Sequence, residues 1–206
     1  MGYNHYWRRH EEIEPETFAS MVRDFRRCVL ALDDLGVSLA GTMGDGLPQI
    51  DQDGLAFNGV RNCGHPKNEA ICIPFPSEKA SGVGDSVDAI VDNWFIGVQL
   101  RRRTCNGDCS YEPFILNRVV EKERRNPHDP DPDQRVFECC KTAFRPYDLA
   151  VQCALLIGKH HLRERFGVSS GGSDWHWNDA RRVCYLHLGY PLNEFKLLRE
   201  EGLIQG

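Results

Sequence analysis

The sequence predicts an α+β fold: a single, mostly antiparallel sheet with about three helices packed against it. Strand-like runs cluster in the middle of the chain, helical periodicity lies towards its two ends, and no internal repeat appears. The composition, 41% hydrophobic and 27% charged over 206 residues, is that of one well-buried globular domain spanning 1–206.

The elements follow in order. "NHYWRRH" (Asn4 to His10) is short and aromatic-rich, which suits a first strand. Phe18, Met21, Val22, Phe25, Cys28, Val29, Leu32 and Leu35 recur at three- and four-residue steps, so a helix is expected over Thr17–Leu35. Pro15 suits its first turn and Gly36 its end. "VSLAGT" (Val37 to Thr42) and "LAFNGV" (Leu55 to Val60) read as strands separated by the turn-rich "MGDGLP". From Arg61 to Ala89 little regular structure is expected apart from the apolar "ICIPF". "NWFIGVQLRRRT" and "SYEPFILNRVV" flank Asn106-Gly107, the dipeptide favoured by type I′ turns, and so predict a hairpin. Mobile loops are expected at about 77–90 and 121–134, the second for its charge and prolines. "RVFECCKT" reads as a strand, Pro146–His161 as a core helix that is apolar nearly all round, and "RFGVSSGG" as a strand. Ser173 or Asp174 caps a last helix over Asp174–Leu188.

The net charge of −5 argues against general nucleic-acid coating. "LRRRT" and "EKERR" are local basic runs that read as a solvated strand edge and a solvated loop. No apolar run reaches the ~20 residues needed to cross a bilayer, and the opening "MGYNHYWRRHEEIE" is not a secretory signal. A cytoplasmic location is the expectation. Nine cysteines without such a signal favour reduced thiols or metal ligands over disulfides.

Candidate chemistry gathers first at "CKTAFRPYD". Lys141, Thr142 and Arg145 stand just upstream of a helix start, where cationic charge is unfavourable unless something negative lies between. Asp148, or a bound phosphate or carboxylate, would supply that charge. Ser169 and Ser170 in "VSSGGSD" form a second strand-to-helix junction rich in donors. Two such junctions sharing a sheet edge would line an anion site, with Asn58 and Tyr147 orienting the ligand. His5 or His161 is then the candidate acid/base and Lys141 the charge-stabilising group. Capping of the core helix accounts equally for His161, or for its neighbour His160.

Cysteine supplies the second candidate. Cys105 and Cys109 flank the expected hairpin tip, and Cys63 and Cys72, with His65 between them, would complete a four-ligand zinc site. The spacing departs from the two-residue separation of zinc ribbons, so free thiols are the competing reading. Cys28, Cys153 and Cys184 fall on core faces of helices and read as packing residues.

"GYNHYW", "FNG" (Phe57 to Gly59), "CKTAFRPYD", "KHH" (Lys159 to His161) and "VSSGG" together are similar to boxes of a family of uncharacterised bacterial and phage proteins opening with G-Y-x-H-Y-W. The resemblance spans most of the chain, thinly between Arg61 and Asn93. It implies no activity, but places His5, Asn58, Lys141, Thr142, Tyr147 and Ser170 in a shared pattern. Gly171 stands where that pattern has an acidic residue, and the Cys105–Cys109 pair lies outside it.

Three functions remain open. One is a phosphate-directed protein, including an enzyme acting on a nucleotide or an RNA end. Another is a module that sequesters a nucleotide or a protein without chemistry. The third is a zinc-stabilised interaction domain.

Overall fold

The computed structural model describes residues 3–67, 70–74, 100–120 and 135–193, with side chains at 3–67, 103–120 and 135–193. The loops expected at 77–90 and 121–134, and the side chain of Cys72, lie outside the described residues.

The fold is α+β, as the patterning predicts, but its strands form three antiparallel sheets instead of one. In the first, β1 (Asn4–Arg9) is the centre, with β8 (Val136–Lys141) on one side and β9 (Phe166–Ser170) on the other. In the second, β4 (Gly54–Gly59) pairs with β2 (Leu39–Ala40), β3 (Gln49–Ile50) and β7 (Phe114–Asn117). The third joins β5 (Ala70–Pro74) to β6 (Leu100–Thr104). β5 is the apolar run placed within an otherwise irregular segment, and β3 is too short for alternation to reveal it.

The expected hairpin is the clearest correction. Its turn forms: Asn106 and Gly107 have φ of 53° and 77°, and the Asp108 N–H donates to the Cys105 carbonyl at 3.0 Å. The flanking strands nevertheless diverge, β6 to β5 and β7 to β4. After the turn, the Cys109 N–H donates to the Val60 carbonyl and the Tyr111 N–H to the Asn58 side chain, so the chain is captured by the end of β4.

Helix α1 (Pro15–Asp34) buries Phe18, Met21, Val22, Phe25, Cys28 and Leu32 of the predicted stripe, together with Ala31, while Val29 and Leu35 are only partly buried. Helix α2 (Asp148–Leu162) is buried continuously from Asp148 to Gly158, as its uniformly apolar sequence requires. Helix α3 (Asn178–Leu188) follows a 3₁₀ turn, Asp174–Trp177, which Ser173 caps reciprocally with His176. The three helices pack on one another. A relay of rings ties them to the sheets: Trp7–Phe114, Phe114–Phe57 and Phe57–Phe25 have centroids 5.1, 5.0 and 5.2 Å apart.

Candidate metal centre and the buried network beside it

Two loops carry the cysteine chemistry. Left-handed residues bend both: Asn62 and Gly64 around Cys63, and Asn106 and Gly107 after Cys105. The bends aim Cys63, His65, Cys105 and Cys109 at one point, with their ligand atoms all within 4.8 Å of one another. Cys63 Sγ lies 3.8 Å from Cys105 Sγ, and Cys109 Sγ lies 3.4 Å from His65 Nδ1. A tetrahedral zinc with bonds of about 2.3 Å to sulfur and 2.0 Å to nitrogen spaces its ligands about 3.8 Å (S–S) and 3.5 Å (S–N) apart. Gly59 packs so closely on the Cys109 carbonyl that no side chain fits there.

Among the described side chains His65 completes the group of four, where the sequence reading had Cys72. In the β5–β6 register Ala70 faces Thr104 and Cys72 faces Arg102, so β5 runs away from Cys105 as it reaches Cys72. Three strand positions separate Arg102 from Cys105, on the order of 10 Å. Cys63 and His65, one residue apart on a tight loop, need no such reach.

A buried polar network begins two residues before Cys105. Arg103, read from sequence as part of a solvated edge, is 4% exposed. Its Nη1 donates to Asp148 Oδ2 at 2.6 Å, and its Nη2 lies 3.7 Å from Asp179 Oδ2 on α3. Asp148 is fully buried, and its other oxygen receives His5 Nε2 at 2.7 Å and the Thr142 hydroxyl. Burial alone would raise the Asp148 pKa; Arg103, then His5 and Thr142, outweigh it and hold the carboxyl below its ordinary range. An ionised carboxylate only accepts, so His5 carries its proton on Nε2. His5 Nδ1 is buried without a hydrogen-bond partner.

The sheet register explains the convergence. β8 and β9 both run antiparallel to β1, pairing Lys141 with Asn4 and Ser170 with His5, so both strands exit at the same end of the sheet. The crossing after β8 wraps Tyr3: the N–H groups of Thr142 and Ala143 both donate to its carbonyl, and Phe144 stacks on its ring at 3.9 Å. Ala143 and Phe144 adopt φ of 50° and 56°, a conformation costing roughly 1 kcal/mol or more per residue.

The other predicted residues have definite places. Arg145 does not pair with Asp148. Its Nη1 donates to the carbonyl of Cys105, which links the α2 approach to the cysteine loop. The Lys141 ammonium lies over the Tyr111 ring at 5.6 Å. Asn58 bonds four backbone groups: Nδ2 donates to the Thr42 and Tyr111 carbonyls, and Oδ1 accepts from Gly59 and Tyr111 N–H. Its amide is then fully engaged, as a brace for the cysteine loop. Tyr147 is buried and donates to the Glu112 carbonyl at 2.6 Å. The Ser170 hydroxyl accepts from Trp177 Nε1 at 3.2 Å, while Ser169 pairs with Tyr6 in the sheet.

His161 stands apart from all of these. It lies 13 residues after Asp148 on α2, about 20 Å along the helix axis at 1.5 Å per residue. There it meets Asp24 at 2.8 Å, and the Tyr190 hydroxyl donates to the same carboxylate oxygen at 2.7 Å. His5 and His161 therefore belong to different ends of the molecule, a separation that one-dimensional reasoning has no means to see.

Among the described residues no helix is long and apolar enough to cross a membrane. Neither a family model, nor a curated protein, nor a solved structure matches this chain.

Proposed function

We propose that this protein is a zinc-stabilised binding domain, its two knuckle loops joined by Cys63, His65, Cys105 and Cys109. The carrying observation is the match of the 3.8 Å and 3.4 Å ligand separations to the edges of a zinc tetrahedron. Four protein ligands fill that tetrahedron, which assigns the ion a structural role; catalytic zinc keeps one position for water or substrate. The ligand class that fits the adjoining surface is a phosphate-bearing small molecule or nucleotide. Exposed Arg61 and Lys67 flank Cys63 and His65, and Lys141 and the exposed Tyr111 ring lie together beyond Cys109.

Metal analysis of purified protein tests the reading: about one equivalent of zinc is expected, falling to none in Cys109→Ser. Metal-free protein with all four groups open to modification in the native state refutes it. A thermal-shift screen with nucleotides tests the ligand class, since ligand at 100 times Kd adds about 2.7 kcal/mol. Lys141→Ala should remove the shift.

The second reading, an enzyme, is favoured by one observation. His5 is an aspartate-oriented imidazole whose Nδ1 has no partner, set between the Lys141–Thr142 and Ser170 strand ends. For a ligand identified by the screen, His5→Gln would cut turnover by ~10²–10⁴ while leaving binding in place. Binding without turnover in the unaltered protein leaves the first reading alone.

A further inference from the structure

The core holds a second sulfur cluster. Cys28 from α1, Cys153 from α2 and Cys184 from α3 meet at the three-helix junction, their sulfurs within 4.8 Å of one another and essentially shielded from solvent. We propose that these three thiols form a second metal site, a trigonal trithiolate for a soft monovalent cation of the copper(I) class.

Three features of the junction support this. Thiolate sulfur is the donor that selects copper(I), and three sulfurs about 2.2–2.3 Å from a central ion sit about 3.9 Å apart, inside the span these three already occupy. The cluster is limited to three ligands: no histidine or carboxylate joins it among the described residues, so it lacks the fourth corner that structural zinc requires. All three cysteines belong to the buried hydrophobic core of the protein, a setting that would keep water from a bound ion. Binding releases thiol protons to solvent and involves no change in oxidation state. A chance meeting of three packing cysteines has the same burial, and metal uptake separates the two.

The experiment uses full-length, zinc-loaded protein, titrated anaerobically with copper(I) in the presence of a chromogenic copper(I) chelator. One equivalent of copper retained with zinc still bound is the expected result, with X-ray absorption at the copper edge showing three sulfur ligands and no nitrogen. Cys28→Ala and Cys153→Ala should lose the copper and keep the zinc, while Cys63→Ser should do the reverse. Copper bound only with equivalent release of zinc, or a coordination shell containing histidine, would place it at the loop site and overturn the proposal. Because the absorption measurement is made on the unaltered chain, the proposal stays testable even where a core variant fails to fold.

Discussion

Replacing Arg103 by methionine isolates the network that joins the cysteine loop to the helices. Methionine keeps much of the side chain's length and apolar stem, but removes the guanidinium held 2.6 Å from Asp148. The Asp148 carboxylate is 0% exposed and keeps only His5 Nε2 and the Thr142 hydroxyl once that cation is gone. Removing one partner of a buried ion pair typically costs 3–5 kcal/mol, because the remaining charge stays desolvated. That is a large part of the ~5–15 kcal/mol that holds a domain folded. Urea denaturation of zinc-loaded protein at pH 7 should show a loss of about 3 kcal/mol or more for Arg103→Met. The double variant Arg103→Met, Asp148→Asn should be more stable than Arg103→Met alone, since it no longer strands a buried charge. A loss under 1 kcal/mol for the single variant, or strictly additive effects in the double, would show that Arg103 and Asp148 are not coupled as the geometry requires.

Three further outcomes follow from other parts of the structure. The depressed pKa of Asp148 stabilises the fold above its unfolded value of about 3.9, and that contribution is lost as pH falls through the folded value. Asp148→Asn should therefore remove part of the decline in stability below about pH 4, measured by denaturation of both proteins between pH 5 and 3. Gly59→Ala forces a methyl group onto the Cys109 carbonyl; a loss of 1–3 kcal/mol and weaker zinc retention are expected in chelator competition. Ala143→Gly relieves a left-handed alanine at φ 50°, and calorimetry should show a stabilisation of up to about 1 kcal/mol.

What the sequence disclosed depended on the range of the interaction. Periodicity identified α1 and α2 because amphipathic and uniformly apolar faces are local properties, and Asn106-Gly107 identified its turn because positive φ is a demand on two residues. The partners of β6 and β7 were hidden, since a turn fixes direction over four residues and not which edge captures the strand that follows. Arg103 looked like one of three solvated arginines because nothing in "LRRRT" records that Asp148 waits 45 residues away. Asp148 was a candidate partner for the cationic cluster before α2, but Arg145 and Lys141 engage other groups and Arg103, which was not considered, takes the carboxylate. Cys63, Cys105 and Cys109 were legible as ligands by residue type. Choosing His65 over Cys72 required the β5–β6 register.

If zinc joins the cysteine loops as proposed, those loops and the buried network act as one mechanical unit, which predicts where the molecule opens first. Arg103 stands two residues before Cys105 and bridges Asp148 on α2 to Asp179 on α3. Arg145, at the approach to α2, donates to the Cys105 carbonyl. A metal fixing Cys105 therefore fixes both guanidinium links, and removing it frees the loop that carries them. At the far end of α2, His161, Asp24 and Tyr190 are held together without any contribution from the cysteine loops. Hydrogen exchange before and after chelation should thus show graded release. Amides of 103–111 and of the first turn of α2 should lose protection first, while those of the last turns of α2 retain it. Uniform loss along α2 would mean that the metal stabilises only the folded whole. Unchanged protection around Asp148 would mean that Arg103 keeps its place without the ion, and the coupling drawn from these contacts would be wrong.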